Sequence, residues 1–402
     1  MQPTPDTSSG SPGEVFRAFL KPGLTAFGGP IAHLGYFRDE LVLRRRWLDE
    51  AAYADLVALC QFLPGPASSQ VGFALGLWRA GPLGALAAWA AFTLPSAIIL
   101  VLFALAASTL DGALAQGALH GLKLVAVAVV AQAVWGMARA LTPDRRRASI
   151  AVFAIAAVAL LPGAVGQVLA IVLGVGGGLW LCRDLPIPHA TPLHFPVSRR
   201  VGWLALSAFA GLLVGLPLLA GIISNHGLDL FAGFYRAGAL VFGGGHVVLP
   251  LLEAETVARG WLTSDSFIAG YGATQAMPGP LFTFAAFLGA AGTPSPNGIL
   301  GAIIALIAIF LPGLLLLIGV LPFWNGLRRR PMAQAGMRGA NAAVVGILGA
   351  ALYNPVFTSA VLSPLDFALA TAGFVALVAW KAPPWMVVVG LSLAGLIVGG
   401  AG

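Results

Sequence analysis

The chain has 402 residues, 58% of them hydrophobic and 9% charged, with a formal net charge of +7. Soluble globular chains carry roughly 25% charged residues, so the composition excludes a water-soluble enzyme and describes an all-α polytopic membrane protein, with apolar stretches of helical length recurring from about residue 51 to the end. The positive charge sits in short loop clusters (Arg44 to Arg46, Arg145 to Arg147, Arg199 to Arg200, Arg328 to Arg330) without a basic face of interleaved aromatics, so it reads as positive-inside anchoring and no nucleic-acid partner is expected.

Residues 1–13 are polar and rich in Ser and Pro, which predicts a disordered tail rather than a signal peptide. From there the sequence states its pattern twice. EVFRAFLKPGLTAFGG at 14–29 returns as DLFAGFYRAGALVFGG at 229–244, an offset of 229 − 14 = 215. Trp47-Leu48 returns as Trp261-Leu262, QFLPGPASS at 61–69 as QAMPGPLFT at 275–283, AAFTLPS at 90–96 as AIFLPG at 308–313, and Gly121 has a counterpart in Gly339. The expected organisation is therefore a first transporter repeat over 14–182, a linker with one extra membrane helix over 183–228, and a second repeat over 229–402. Cys60 and Cys182 lie in apolar surroundings without metal or redox spacing and read as core residues, with no disulfide.

Pro64-Gly65-Pro66 and Pro278-Gly279-Pro280 each remove two backbone donors from an apolar run and free carbonyls that lipid cannot satisfy. Each is expected to interrupt a helix and turn the chain back, because only then do Arg44 to Arg46, Arg79 and Arg145 to Arg147 share one side of the membrane. Arg328 to Arg330 and Arg338 then assign the opposite sense to the second half, as inverted-topology repeats require. The total is about 10–13 membrane segments. Residues 148–182 leave one choice open: two short spans there make the crossings between halves even, so either that stretch crosses once or a Phe-Gly-Gly helix fails to span.

Duplicated halves and interrupted helices are marks of secondary transporters, whose substrate site lies at the repeat interface. Lys21 and Arg236 hold the same repeat position, each six residues before Phe-Gly-Gly (27 − 21 and 242 − 236). They read as two cations converging on an anion, with snorkelling of their stems as the alternative. Pro66 and Pro280 at the first helical position would present free amides and a positive dipole end to that anion. Gly28, Gly29, Gly243 and Gly244 would let backbone approach it, and Gln61 and Gln275 would add neutral donors, with hydroxyls from Ser68, Ser69 and Thr283. Glu14 and Asp229, each seven residues before the cation (21 − 14 and 236 − 229), read as dipole-favouring residues at helix starts, with proton coupling as the lesser reading. His33 and His246 do not share a repeat position and read as interface histidines. No arrangement suited to enzyme catalysis stands out, and neither a cofactor nor a metal is expected.

FGGPIAHL with RRRWL and LPGP, then FGGGHVVLPLLE with GWLTSDSF and MPGP, resemble the chromate ion transporter family in its long, two-domain form. The resemblance implies a bacterial inner-membrane exporter of chromate that confers resistance, with oppositely oriented halves and with sulfate as a similar tetrahedral dianion. Pro30 in place of a third glycine and His246 in place of an aromatic depart from the family pattern. The expected partners are chromate or sulfate and membrane lipid, with a homodimer as a candidate assembly. Efflux of a dianion from a cell negative inside gains about 4.6 kcal/mol per 100 mV, so export needs no coupling ion. Alternating access is the expected mechanism; an ion-coupled sulfate or other oxyanion importer, and an anion channel, are the rivals.

Overall fold

The computed structural model describes residues 10–27, 29–107, 113–161, 164–183, 195–242, 245–327 and 330–400. Gly28, Gly243 and Gly244 lie outside them, as does most of the N-terminal tail. The described residues form helices and no β-strand. The first half runs α1 (Pro12–Thr25), α2 (Gly29–Phe37, continued by a π turn Arg38–Arg44), α3 (Glu50–Phe62), α4 (Ala67–Ala107), α5 (Ala113–Leu141), α6 (Arg145–Leu160) and α7 (Ala164–Leu181). After α8 (Arg199–Ile222) come α9 (His226–Ala239), α10 (Val248–Thr256), α11 (Ser264–Thr274), α12 (Phe284–Ala291), α13 (Gly298–Val320), α14 (Pro331–Ala351), α15 (Pro364–Val378) and α16 (Pro384–Gly400).

Helix starts recur within one residue of matched positions even where the capping residue differs. Ser11 caps α1 through the Glu14 amide at 3.2 Å, and Asn225 caps α9 through Leu228 at 3.1 Å. Asp49 caps α3 through Ala52 at 2.7 Å, and Thr263 caps α11 through Ser266 at 3.2 Å. Each such cap contributes about 1 kcal/mol by satisfying an amide the helix cannot.

The chain reverses at both breakers in each half. The Phe19 ring meets Phe37 across the Phe-Gly-Gly turn at a centroid distance of 5.2 Å. Ala80 and Gly81 leave helical geometry and divide α4 into two arms; the Arg79 guanidinium lies 5.3 Å from the Trp47 ring, so the end of the first arm returns to the start of α3. In the second half Arg236 reaches Glu255, and the Thr293 amide donates to the Trp261 carbonyl at 3.0 Å. Hairpin arms of 8 to 14 residues extend about 12–21 Å, short of the roughly 30 Å hydrocarbon core.

Among the described residues, five helices are long and apolar enough to cross a membrane: residues 67–106, 116–141, 199–222, 298–323 and 331–360. Together with shorter apolar helices they make this a multi-pass membrane protein. The expected count of about 10–13 segments exceeds these five long helices. Only 11% of the most apolar stretch of α8 is buried inside the protein, so that helix presents its surface to lipid.

Residues 148–182 form two helices, α6 and α7, brought together where Arg146 donates to the Leu181 carbonyl at 2.9 Å. This pair packs on α14 of the other half, and α15 and α16 pack correspondingly on α5. Glycines let these backbones touch: Gly117 and Gly121 of α5 receive Gly395, and Gly174 and Gly178 of α7 receive Gly339, with no room for a Cβ on either side. Gly339→Leu is expected to push α14 off α7 and cost more than the 1–3 kcal/mol of ordinary overpacking. Fluorescence-detected size exclusion should show an aggregated or depleted peak, while Gly136→Leu, whose site has nothing within 4 Å, should elute as the parent does.

Candidate functional site

The two Pro-Gly-Pro turns need glycine at their centres, where Gly65 has φ +118° and Gly279 has φ +100°. Each turn bonds to the opposite half: the Gly65 amide donates to the Val241 carbonyl at 2.7 Å, and the Gly279 amide to the Ala26 carbonyl at 3.0 Å. Val241 and Ala26 immediately precede the two Phe-Gly-Gly motifs. Four hairpin tips therefore meet crosswise. The long helices support the crossings at matched places, with Gly313 against Gly65 and Ser96 beside Gly279.

The amides at the turn centres are consumed by these bonds and do not face a ligand. Pro66 and Pro280 are N-caps rather than first helical residues, because their carbonyls already accept from Gln70 at 2.9 Å and Thr283 at 3.0 Å. The unsatisfied helix-start amides accordingly begin one residue later.

Beside the Gly279 crossing lies a cavity of about 50 Å³ lined by Gly29, Gln132, His246, Thr274, Gln275 and Gly279, among others. A single buried water needs roughly 10–15 Å³, so the space can hold a small polyatomic ligand. Its polar lining is neutral or titratable rather than permanently charged. The Gln275 amide donates to the Tyr271 carbonyl at 3.3 Å, and Thr274 donates back to Gly270 at 2.8 Å. The His246 Nδ1 stands 2.5 Å from the Tyr271 hydroxyl. At the other crossing Gln61 is exposed. There Gln70 fills the corner, donating to the Pro64 carbonyl at 3.0 Å and to Gly313 at 2.9 Å. His33, buried, packs its ring edge-on to Phe92 and lies 3.4 Å from the Ser68 hydroxyl.

Of the residues expected at the site, Gly29, Gln275 and Gly279 come together around this cavity, with Pro278 and Pro280 flanking the turn. Lys21 and Arg236 do not line it. Lys21 has a 65% exposed side chain and lies 3.9 Å from Glu40, which also accepts from Arg44 and Arg45 at 2.8 Å. Arg236 Nε donates to Glu255 at 2.6 Å, and Arg259 pairs with the same carboxylate at 3.0 Å. The two glutamates hold matched positions, each thirteen residues after the motif phenylalanine (40 − 27 and 255 − 242), a spacing that marks them in the sequence once the hairpin is known. Each cluster keeps a positive excess: three cations on one carboxylate (3 − 1 = +2) in the first, two on one (2 − 1 = +1) in the second. Glu14 does not share the Lys21 cluster; it pairs with Arg79 at 3.2 Å, while Asp229 lies in the first turn of α9.

The sequence profile of the chromate transporter family matches residues 13–180 and 228–396. The chromate transport protein of Pseudomonas aeruginosa is 30% identical over 399 residues, covering 96% of this chain and 92% of that protein. A probable chromate transport protein of Synechococcus elongatus is 31% identical over 84% of this chain and 83% of its own length. The chromate transport protein of Cupriavidus metallidurans is 27% identical over 96% of this chain and 92% of its own. No solved structure matches. Matched along both halves and similar to these proteins over most of its length, the chain belongs to the chromate transporter family.

Proposed function

We propose that the protein exports chromate across the bacterial inner membrane, conferring resistance, by alternating access around an oxyanion held at the crossed hairpin tips. The observation that carries this reading is the reciprocal pair of bonds, Gly65 to Val241 and Gly279 to Ala26. Because each tip is bonded to the other half, a rocking of one half against the other must change both crossings together. The cavity beside the Gly279 crossing gives the anion a place at the tips, and Gln70 ties the Gly65 crossing to Gly313.

The reading takes 14–182 and 229–402 as inverted repeats joined by the α8 linker. If the Phe-Gly-Gly and Pro-Gly-Pro hairpins enter and leave on one side, α4, α5 and α8 each cross once between the halves and α6 with α7 adds an even number. The total is odd, as inversion needs, and the choice left open over 148–182 falls on a Phe-Gly-Gly hairpin that does not span. Lys21 and Arg236, with their positive clusters, then attract the anion toward the tips from opposite sides.

Labelled chromate uptake into everted vesicles, with sulfate as competitor and the potential and pH gradient collapsed separately, tests the proposal. Saturable uptake driven by the potential alone is expected. Flux without saturation would favour a channel, and dependence on an ion gradient a coupled importer. Gln275→Ala should raise KM about tenfold or more, the worth of a hydrogen bond to a charged ligand.

A further inference from the structure

We infer that His246 is an oxyanion ligand whose positive charge arrives with the substrate, so that chromate binding takes one proton from solvent onto its imidazole. The inference rests on the cavity at the Gly279 crossing being the oxyanion site. Three features of the geometry support it. First, His246 lines the cavity, and its Nε2 is the atom nearest to Gly29: a Cβ on that glycine would stand 3.8 Å from it. Second, the Tyr271 hydroxyl at 2.5 Å from Nδ1 fixes the ring so that Nε2 is the free edge. A hydroxyl both donates and accepts, so it serves Nδ1 in the neutral ring and Nδ1–H in the imidazolium without moving. Third, the cations expected to meet the anion are elsewhere, Lys21 with Glu40 and Arg236 with Glu255.

A dianion drawn out of water into this space needs a counter-charge, since burying an unpaired charge is among the most costly steps in a protein interior. The other described side chains lining it are uncharged: Gln132, Thr274 and Gln275 offer dipoles, and Tyr271 is a further titratable neighbour of His246. Among the described lining residues there is no carboxylate to hold an imidazolium when the anion is absent. The charge-balanced event is therefore neutral imidazole plus proton plus dianion, giving an imidazolium–oxyanion pair with Nε2–H donating to an anion oxygen. The bound pair carries one net negative charge instead of two, which makes affinity depend on pH.

The test is titration calorimetry of the full chain in detergent with chromate at about pH 8, where free chromate is a dianion, repeated in buffers of different ionisation enthalpy. About one proton taken up per chromate is expected, with affinity falling close to tenfold per pH unit above neutrality. His246→Gln should abolish the uptake, flatten the pH dependence and weaken binding on the order of 100-fold. Tyr271→Phe keeps the imidazole and should retain the uptake with weaker binding, which keeps the inference testable if His246→Gln does not fold. Proton-neutral binding by the parent, with Gln275→Ala still weakening it, would overturn the role of His246 and leave the cavity as the site. Unchanged binding in both Gln275→Ala and His246→Gln would overturn the cavity itself.

Discussion

Glu255→Gln lowers the stability of the folded protein by about 2–4 kcal/mol, whereas Lys21→Ala changes it by less than about 1 kcal/mol. The difference follows from where each charge sits. Glu255 is 3% exposed and holds Arg236 and Arg259, so removing its charge leaves two guanidiniums facing each other over a neutral amide. Breaking a fully buried pair costs about 3–5 kcal/mol; the lower range applies because Arg259 is 38% exposed and partly screened by solvent. Lys21 lies in the opposite regime, an exposed ammonium 3.9 Å from a carboxylate that two arginines already satisfy. Thermal melting followed by size exclusion separates them: a drop on the order of 5 °C is expected for Glu255→Gln and almost none for Lys21→Ala. Equal loss in both would mean that Lys21 is held as tightly as Arg236. Arg236→Ala should fall between them, since Glu255 keeps Arg259.

The glutamates also mark the boundary of what sequence alone discloses. Breakers and caps act within a few residues, so the duplicated Pro-Gly-Pro and Phe-Gly-Gly motifs and the polar residues before helices were legible as interruptions and starts. Gly29, Gln275 and Gly279 were legible for the same reason, as residues of those motifs. Glu40 and Glu255 were not, because a carboxylate nineteen residues beyond its cation (40 − 21 and 255 − 236) becomes its neighbour only through a chain reversal. The crossed bonds of Gly65 and Gly279 join opposite halves and leave no local signal. Apolar composition likewise does not distinguish a hairpin arm from a spanning helix, which is why the segment count outran the five long helices. His246 was weighed by repeat symmetry, whereas its place beside the Gly279 crossing is set by packing between the halves.

Gly279→Asn abolishes chromate transport while Gly136→Asn leaves it near the parent level. Gly136 lies inside α5, in the right-handed helical region open to any side chain, and a Cβ there has nothing within 4 Å. Gly279, at φ +100°, lies outside that region, and its Cβ would stand 2.8 Å from the Ser96 hydroxyl and 3.1 Å from the Phe92 carbonyl. Backbone strain of about 1–3 kcal/mol then adds to the collision, and the turn relaxes by letting go of Ala26. Losing that bond frees one of the two crossings, so the halves no longer move as a coupled pair, whether or not the surrounding helices stay packed. Chromate accumulation in cells at matched membrane levels reads the outcome, with Gly65→Asn expected to behave as Gly279→Asn because its Cβ would meet the Gly313 Cα at 3.0 Å. Parental transport by Gly279→Asn would show that the crossing carries no part of the cycle, and that the tips meet only to seal the fold.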